Sequence, residues 1–198
     1  MSIIVLEAPE HRYDFTGLAA VKAEMQKRID DHDDDELLES LIAQMGASIS
    51  AWCGRRFLPE TIREDLHIDS PASTLTLSRW PIISLIAVVT EAGALAADQY
   101  EVDAEAGLLY RLTGNRRRIN WAPGRVSVDY VTGFEALPGG IERATILMVR
   151  NAFTSRGRDP TLRTDDVSGI GSSTFGLGTS FPPEVEELLL PYRATHIG

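Results

Sequence analysis

Several features that define common classes of protein are missing from this 198-residue sequence. There is a single cysteine, Cys53, so an intramolecular disulfide is excluded and a reducing cytoplasm is the expected place of synthesis. No apolar run is long enough to span a membrane. The opening "MSIIVLEAPEHRYDF" lacks the basic leader and the cleavage site of a secretory signal. We therefore expect a soluble protein without a membrane partner.

Motifs that support catalysis are also absent. The four histidines, His11, His32, His67 and His196, show no metal-ligand spacing, and no serine lies in a nucleophile-elbow pattern. The glycine-rich "GIGSSTFGLG" at 169–178 lacks the preceding strand, the following helix and the Lys-Ser/Thr pair of a phosphate-binding loop. We interpret it as a flexible loop, and expect no catalytic residue, no metal and no cofactor.

Positive charge is in short supply. The chain has 29 acidic and 19 basic residues, a net charge of −10, so it should repel nucleic acid rather than bind it. One basic cluster, "NRRR" at 115–118, begins in a Gly-Asn turn between two predicted strands. It is either a solvated hairpin or an ion-pair patch against an acidic neighbour. In the second case the subunit–subunit ion-pair candidates are Arg116, Arg117 and Arg118.

Three stretches have the spacing of amphipathic helices. "FTGLAAVKAEMQKRI" predicts a short helix over 17–29, a longer apolar stripe predicts a helix over 34–53 that Gly54 ends, and a third predicts a helix over 140–155. The stripe of the longest helix consists of Leu37, Leu38, Leu41, Ile42, Met45, Ile49 and Trp52.

An acidic cluster, "DHDDDE" at 31–36, directly precedes the longest helix. A calcium-binding loop would need alternating oxygen ligands, an internal glycine and a glutamate at its twelfth position, and no glycine falls inside this cluster. Acidic side chains before a helix accept hydrogen bonds from its free N–H groups and favour its positive end. The pattern therefore favours a helix cap, formed by Asp33 and Asp34, over a metal site.

Residues 56–134 change to short β-branched or alternating segments separated by Pro, Gly, Asp and Asn. Leu75 and Leu77 fall on one face of a predicted strand, and Val126, Val128 and Tyr130 on one face of another. We predict an α+β fold, in which two long helices and short terminal helices form a small bundle with an inserted antiparallel β module. This core covers 1–155.

The C-terminal part has a different composition. Residues 156–181 are rich in Gly, Ser and Thr and are predicted to be a flexible arm. Residues 182–198 begin with "PPEVEELLLPYR", whose apolar stripe predicts a helix that Pro191 stops after about two turns. So short a helix is marginal alone. It either folds back on its own body or docks into a groove on another chain, and the sequence leaves both open.

The order of these segments resembles the head–tail connector, or adaptor, family of long-tailed bacteriophages and gene transfer agents. Four stretches carry the resemblance, and together they cover about two-fifths of the chain. They are "DDDELLESLIAQMGASISAWCGR", "LTLSRWPIISLIAVV" with its Leu-x-Arg-x-Pro entry, "VSVDYVTGFEALPGGIERATILMVRNAF" with its Tyr-x-x-Gly-Phe turn, and "FPPEVEELLLPYR".

The resemblance implies a non-enzymatic virion protein. In that family, subunits form a ring, generally dodecameric, that joins the portal to a stopper or other tail-side neck protein and extends the DNA channel. The expected partners are therefore the portal, the tail-side protein and further copies of the chain, with DNA passing through unbound. The expected location is the head–tail neck of a virion assembled in the bacterial host cytoplasm. The implied portal-docking residues are Val185, Leu188, Leu189, Leu190, Tyr192 and Arg193.

Three other functions remain open from the sequence. A stopper or tail terminator is usually rich in β-structure, and the two long helices argue against it. A metal-dependent enzyme would use the acidic residues between Asp31 and Glu36. A cytoplasmic regulatory binding module would be absent from purified particles.

Overall fold

The computed structural model describes residues 2–156, 164–165, 173–174 and 181–194. Within these ranges the chain combines α-helices with antiparallel strands, which confirms the predicted α+β class. The α-helices are α1 (Leu18–Glu24), α2 (Asp35–Cys53), α3 (Gly139–Thr154) and α4 (Pro183–Leu189). Short 3-10 turns lie at Ala97–Gln99 and Leu190–Tyr192. None of the helices in the described ranges has the length and apolarity needed to cross a bilayer.

The strands are mostly short and fall within the predicted β module, with one addition at the N-terminus and two in the predicted arm. They are β1 (Ser2–Glu7), β2 (Glu60–Ile68), β3 (Leu75–Thr76), β4 (Ile82–Thr90), β5 (Gly93–Ala94), β6 (Tyr100–Asp103), β7 (Leu108–Leu112), β8 (Arg118–Ile119), β9 (Gly124–Thr132), β10 (Thr164–Asp165) and β11 (Ser173–Thr174).

The chain forms two compact units. The sheet unit comprises Met1–Tyr13, Ser50–Pro138 and Arg193–Gly198, and the helical unit comprises Asp14–Ile49 and Gly139–Tyr192. Along the sequence, most of the sheet unit (Ser50–Pro138) is thus inserted between the two segments of the helical unit, as the predicted inserted β module requires.

The sheet unit is built on a five-stranded antiparallel sheet with the order β1-β2-β9-β4-β5. A smaller sheet has the order β3-β7-β6, with β8 paired to β7. The core is formed by the strand faces that the alternation predicted: Leu75, Leu77, Val126, Val128 and Tyr130 are all buried. Period-two patterning therefore identified the inward faces correctly.

The N-terminal strand was not predicted. "SIIVLE" is too short and too uniformly apolar to distinguish a strand from other local structure by its periodicity. In the structure it lies along β2, with Ile3 opposite Glu64 and Val5 opposite Ile62. Its conformation depends on a partner about sixty residues away, which local sequence does not reveal.

The helical unit has a small aliphatic core that α1, α2 and α3 share. Its fully or nearly fully buried members are Val21, Leu38, Ile42, Ile146 and Val149. These residues recur at steps of three and four within each helix, which is the spacing that predicted the apolar stripes.

The C-terminal ends of two predicted helices can be compared with the structure. Gly54 follows α2 with φ of +65°, and the Arg55 amide donates to the Ser50 carbonyl at 3.2 Å, so the predicted glycine stop is confirmed. Helix α1 ends at Glu24, five residues earlier than predicted. The buried Lys22 ammonium explains this early end, because it donates to the Ile29 and Asp31 carbonyls and holds that segment out of the helix.

Candidate docking and subunit-contact surfaces

The C-terminal helix packs on its own chain. Helix α4 lies against α3, and its Val185 and Leu189 side chains are fully buried. Leu188 is half-buried, whereas Leu190 is 58% exposed. Of the two interpretations left open by the sequence, the structure thus presents the folded-back arrangement, and Leu190 is the large apolar side chain that this segment exposes.

The three residues at 192–194, which follow α4, make close contacts with other parts of the chain. A Cβ added to Gly140, at the start of α3, would lie 3.2 Å from Cε2 of Tyr192, so the glycine allows this close approach. The next residue, Arg193, belongs to the sheet unit and places its guanidinium 4.8 Å from the ring centroid of Trp52. The Ala194 amide donates to the Cys53 carbonyl at 2.8 Å.

Two parts of the predicted C-terminal organisation lie outside what the structure describes. They are most of the predicted arm at 156–181 and the last four residues of the predicted docking segment at 195–198. The roles predicted for the six docking residues therefore stay predictions, now with known positions for their side chains.

The arginine cluster lies on a hairpin, as the Gly-Asn turn predicted. The turn between β7 and β8 is closed by the Thr113 amide, which donates to the Arg117 carbonyl at 2.9 Å. Arg118 already has partners within the sheet unit, because it pairs with Glu101 at 3.3 Å and stacks on Tyr110 at 3.7 Å. Arg116 and Arg117 are exposed and have no carboxylate within ion-pair distance among the described residues.

The acidic cluster before α2 is a network of ion pairs within the helical unit. Asp34 accepts from Lys27 at 2.6 Å and pairs with Arg156 at 3.4 Å. Asp35 pairs with the buried Lys22 at 2.5 Å. These hydrogen-bonded cations hold the pKa values of Asp34 and Asp35 below their ordinary range.

This network helps to compare the two interpretations of the acidic cluster, a helix cap and a metal site. The cluster's cations occupy carboxylate oxygens that a metal ion would otherwise use. Over the part of the chain that the structure describes, no three or more His, Cys, Asp or Glu side chains are placed to hold a metal ion. A capping bond, in which the carboxylate of Asp33 or Asp34 would accept from the first amides of α2, stays a prediction; the observed side-chain partners of Asp34 are Lys27 and Arg156.

A buried polar network joins two of the stretches that carry the family resemblance. Glu64 is fully buried and accepts from the Ser78 amide at 3.0 Å, the Ser78 hydroxyl at 2.5 Å and the Tyr130 hydroxyl at 2.7 Å. Arg79 forms an ion pair with the buried Glu60. Burial and the nearby Glu64 charge raise the pKa of Tyr130 well above its ordinary value, so Tyr130 remains a donor.

The same region explains the glycine of the Tyr-x-x-Gly-Phe turn. Gly133 has φ of +115°, and an added Cβ would lie 2.6 Å from the Leu58 carbonyl oxygen. Phe134 then stacks on Phe57 with ring centroids 5.8 Å apart. The residues of both motifs thus hold the sheet unit together.

The lone cysteine has the properties of a core residue. Cys53 is 1% exposed, and burial raises the pKa of its thiol to about 11. A thiol in this state is a poor nucleophile, and Cys53 serves as a small apolar residue of the core.

Sequence reasoning missed a group of arginines near the end of α2. The Arg55 guanidinium lies 5.1 Å from the ring centroid of Trp80, and Arg56 donates to the Tyr13 hydroxyl at 2.7 Å. Both follow α2 directly, close to where Ala194 bonds to Cys53. The available signal was the "GRR" that ends the helix, but nothing in the sequence indicated that Arg193 would join it.

The fold defines a mixed α+β protein with a helical unit and an inserted antiparallel sheet unit. No family model matches the chain, and no curated protein matches it by sequence.

Solved structures do share this fold. One neighbour is described as "Neck of empty GTA particle computed with C6 symmetry"; it is 19% identical, has a TM-score of 0.64, and the match covers 100% of this chain and 97% of that chain. "Neck of native GTA particle computed with C12 symmetry" matches at 19% identity and a TM-score of 0.62 with the same coverage. "Virion of native gene transfer agent (GTA) particle" matches at 18% and 0.63, again with that coverage. At these identities the likeness establishes a shared fold.

Proposed function

We propose that this chain is a structural, non-enzymatic protein of the neck of a phage-like particle. Copies of it form a ring, dodecameric by the family resemblance, that joins the portal to the tail-side neck protein and extends the DNA channel. The observation that carries the proposal is the full-length fold likeness to chains of gene transfer agent necks. The motif order in the sequence supports the same family independently.

The charge of the chain is compatible with this function. A ring repeats one heterologous contact until it closes, so each subunit needs two different complementary surfaces. The sheet unit has 11 basic and 13 acidic residues, whereas the helical unit has 8 and 16, so the excess of negative charge is concentrated in the helical unit. An acidic chain also lets DNA pass without holding its phosphates.

The portal-docking surface is proposed to be the C-terminal segment. Val185 and Leu189 hold α4 on α3, so the side chains available to a partner are Leu190, the half-buried Leu188 and Tyr192, and Arg193. Arg116 and Arg117 are proposed to pair with acidic side chains of a neighbouring subunit, while Arg118 keeps its pair with Glu101.

A substitution at Leu190 tests the docking surface without opening the core. Because Leu190 is 58% exposed, Leu190→Asp should leave the melting temperature nearly unchanged but prevent heads from acquiring tails. The matched control is Ile29→Asp, at a side chain that is 69% exposed on the helical unit. The assay counts complete particles after replacement of the chromosomal copy. Normal numbers of tailed particles with Leu190→Asp would refute the docking assignment.

A further inference from the structure

Three arginines lie near the C-terminal end of α2. Arg55 and Arg56 follow the helix directly, and Arg193 is brought there by the bond between the Ala194 amide and the Cys53 carbonyl. We call Arg55, Arg56 and Arg193 the arginine triad. The guanidiniums of Arg55 and Arg193 lie 5.1 Å and 4.8 Å from the ring centroids of Trp80 and Trp52, and Arg56 donates to the Tyr13 hydroxyl at 2.7 Å.

The triad has no carboxylate partner in the described residues. Of the other arginines of the sheet unit, Arg63 pairs with Asp129, Arg79 with Glu60 and Arg118 with Glu101. Five more have no carboxylate within ion-pair distance among the described residues: Arg12, Arg111, Arg116, Arg117 and Arg125. What distinguishes the triad is burial: Arg55 and Arg56 are half-buried, whereas Arg12, Arg116, Arg117 and Arg125 are exposed. The Nε of Arg55 is also buried, with no hydrogen-bond acceptor in the described part of the chain.

The aromatic rings prepare these arginines to bind an anion. Stacking fixes the plane of a guanidinium and leaves its edge N–H groups available to a carboxylate, which arginine binds in a bidentate fork. Partial burial lowers the pKa of Arg55, which shows the cost of holding this charge away from water without a partner. A carboxylate from another chain would remove that cost.

The helical unit provides suitable carboxylates. Asp33, Glu36 and Glu39 are exposed at the start of α2, and none has an ion-pair partner among the described residues. Other acids of the same region, including Asp34 and Asp35, are already paired. Asp33, Glu36 and Glu39, which we call the free acidic face, are therefore available for a contact between copies.

We propose that the arginine triad of one copy binds the free acidic face of a second copy, and that this is a heterologous contact of the assembled ring. The inference rests on the proposed function, since a ring requires two complementary surfaces on each subunit. Charge complementarity selects the second copy: the sheet unit carries cations without partners and the helical unit carries anions without partners. The contact gives Arg193 a role in self-association in addition to portal docking.

A simpler explanation of the triad is that it stabilises the helix end. Cations near the C-terminus of a helix interact favourably with its dipole. Such a role would lower the melting temperature of triad variants without affecting association. The test therefore measures association and melting separately.

Charge reversal with mixing provides the test. Sedimentation of the purified full-length chain should show self-association that weakens between about 0.05 and about 0.5 M sodium chloride. Arg55→Glu with Arg193→Glu, or Asp33→Arg with Glu36→Arg and Glu39→Arg, should each weaken it about tenfold or more. An equimolar mixture of the two variants should restore it, because each reversed surface then meets an oppositely charged one. Arg193→Glu alone, at an exposed side chain, serves as a second variant should the double variant unfold.

The matched control is Arg12→Glu with Arg125→Glu, which changes the charge of the sheet unit equally at two exposed positions. It should associate like the unmodified chain. Three results would overturn the inference: an unmodified chain that stays monomeric, a control as weak as the triad variant, or a mixture that fails to associate. Binding of duplex DNA that depends on the triad, with self-association unchanged, would also overturn it. None of these results would refute the proposed neck function, because that function is tested by whether the chain is present in particles.

Discussion

Two groups of carboxylates, one in each unit of this protein, differ in whether they are bonded in the core or at the surface. In the sheet unit, the carboxylates of Glu60 and Glu64 are buried and bonded to Arg79, Ser78 and Tyr130. In the helical unit, the acids before α2 form ion pairs at the surface. The first group holds the core of the sheet and its motif residues in place, whereas the second group links side chains at the surface before α2. A carboxylate should therefore matter far more to folding in the sheet unit than in the helical unit.

The largest expected effect is the loss of the buried carboxylate of Glu64. Glu64→Ala leaves the Ser78 amide and hydroxyl and the Tyr130 hydroxyl without their acceptor, so it should lower the free energy of unfolding by about 3 kcal/mol or more. Urea denaturation followed by circular dichroism measures it. Tyr130→Phe removes one donor and should cost less, about 2 kcal/mol. Equal stability of Glu64→Ala and the unmodified chain would show that the network does not hold the sheet unit.

An intermediate effect is expected from the neighbouring leucines of the C-terminal segment. Leu189 is fully buried and Leu190 is 58% exposed, so Leu189→Ala should cost about 3 kcal/mol and Leu190→Ala less than about 0.5 kcal/mol. The same denaturation experiment compares the two variants directly, because both replace a leucine with an alanine. Similar costs at both positions would mean that α4 does not pack on α3 in solution.

The smallest effect is expected from the surface carboxylate of Asp34. Lys27 and then Arg156 hold its folded pKa below the ordinary value, so its contribution to stability is present at pH 7 and is lost as the pH falls through the folded pKa. Asp34→Asn should therefore melt slightly below the unmodified chain at pH 7, and the difference should vanish in strong acid and shrink in high salt. A difference that grows on acidification would contradict the ion-pair assignment.

The sequence predicted the parts of the fold that depend on local periodicity. The stripes of α2 and α3, the inward residues Val126 and Val128, and the stop at Gly54 all follow from spacing and backbone preference. Strand β1 and the early end of α1 could not be predicted in this way, because one depends on pairing with β2 and the other on the buried Lys22. The first contact joins residues distant in sequence, and the second joins a side chain to carbonyls seven and nine residues further on, which helical periodicity does not encode.

The candidate surfaces were predicted less completely than the fold. The hairpin of Arg116 and Arg117 follows from a Gly-Asn turn, but the pairing of Arg118 with Glu101 depends on strand register. One signal was available for the buried network. Glu60 and Glu64 share a strand face with Ile62 and Ile68, and an acid on an apolar face indicates a buried partner. The arginine triad joins residues far apart in the chain, so only the structure could reveal it.

The most direct test of the proposed neck function is to image purified particles made by the cell that encodes this chain. Electron cryomicroscopy with symmetry applied at the tail-bearing vertex should show a ring of this fold between the portal and the tail, with α4 and Leu190 on its portal side. Complete, DNA-filled particles whose neck contains no copy of the chain would contradict the account.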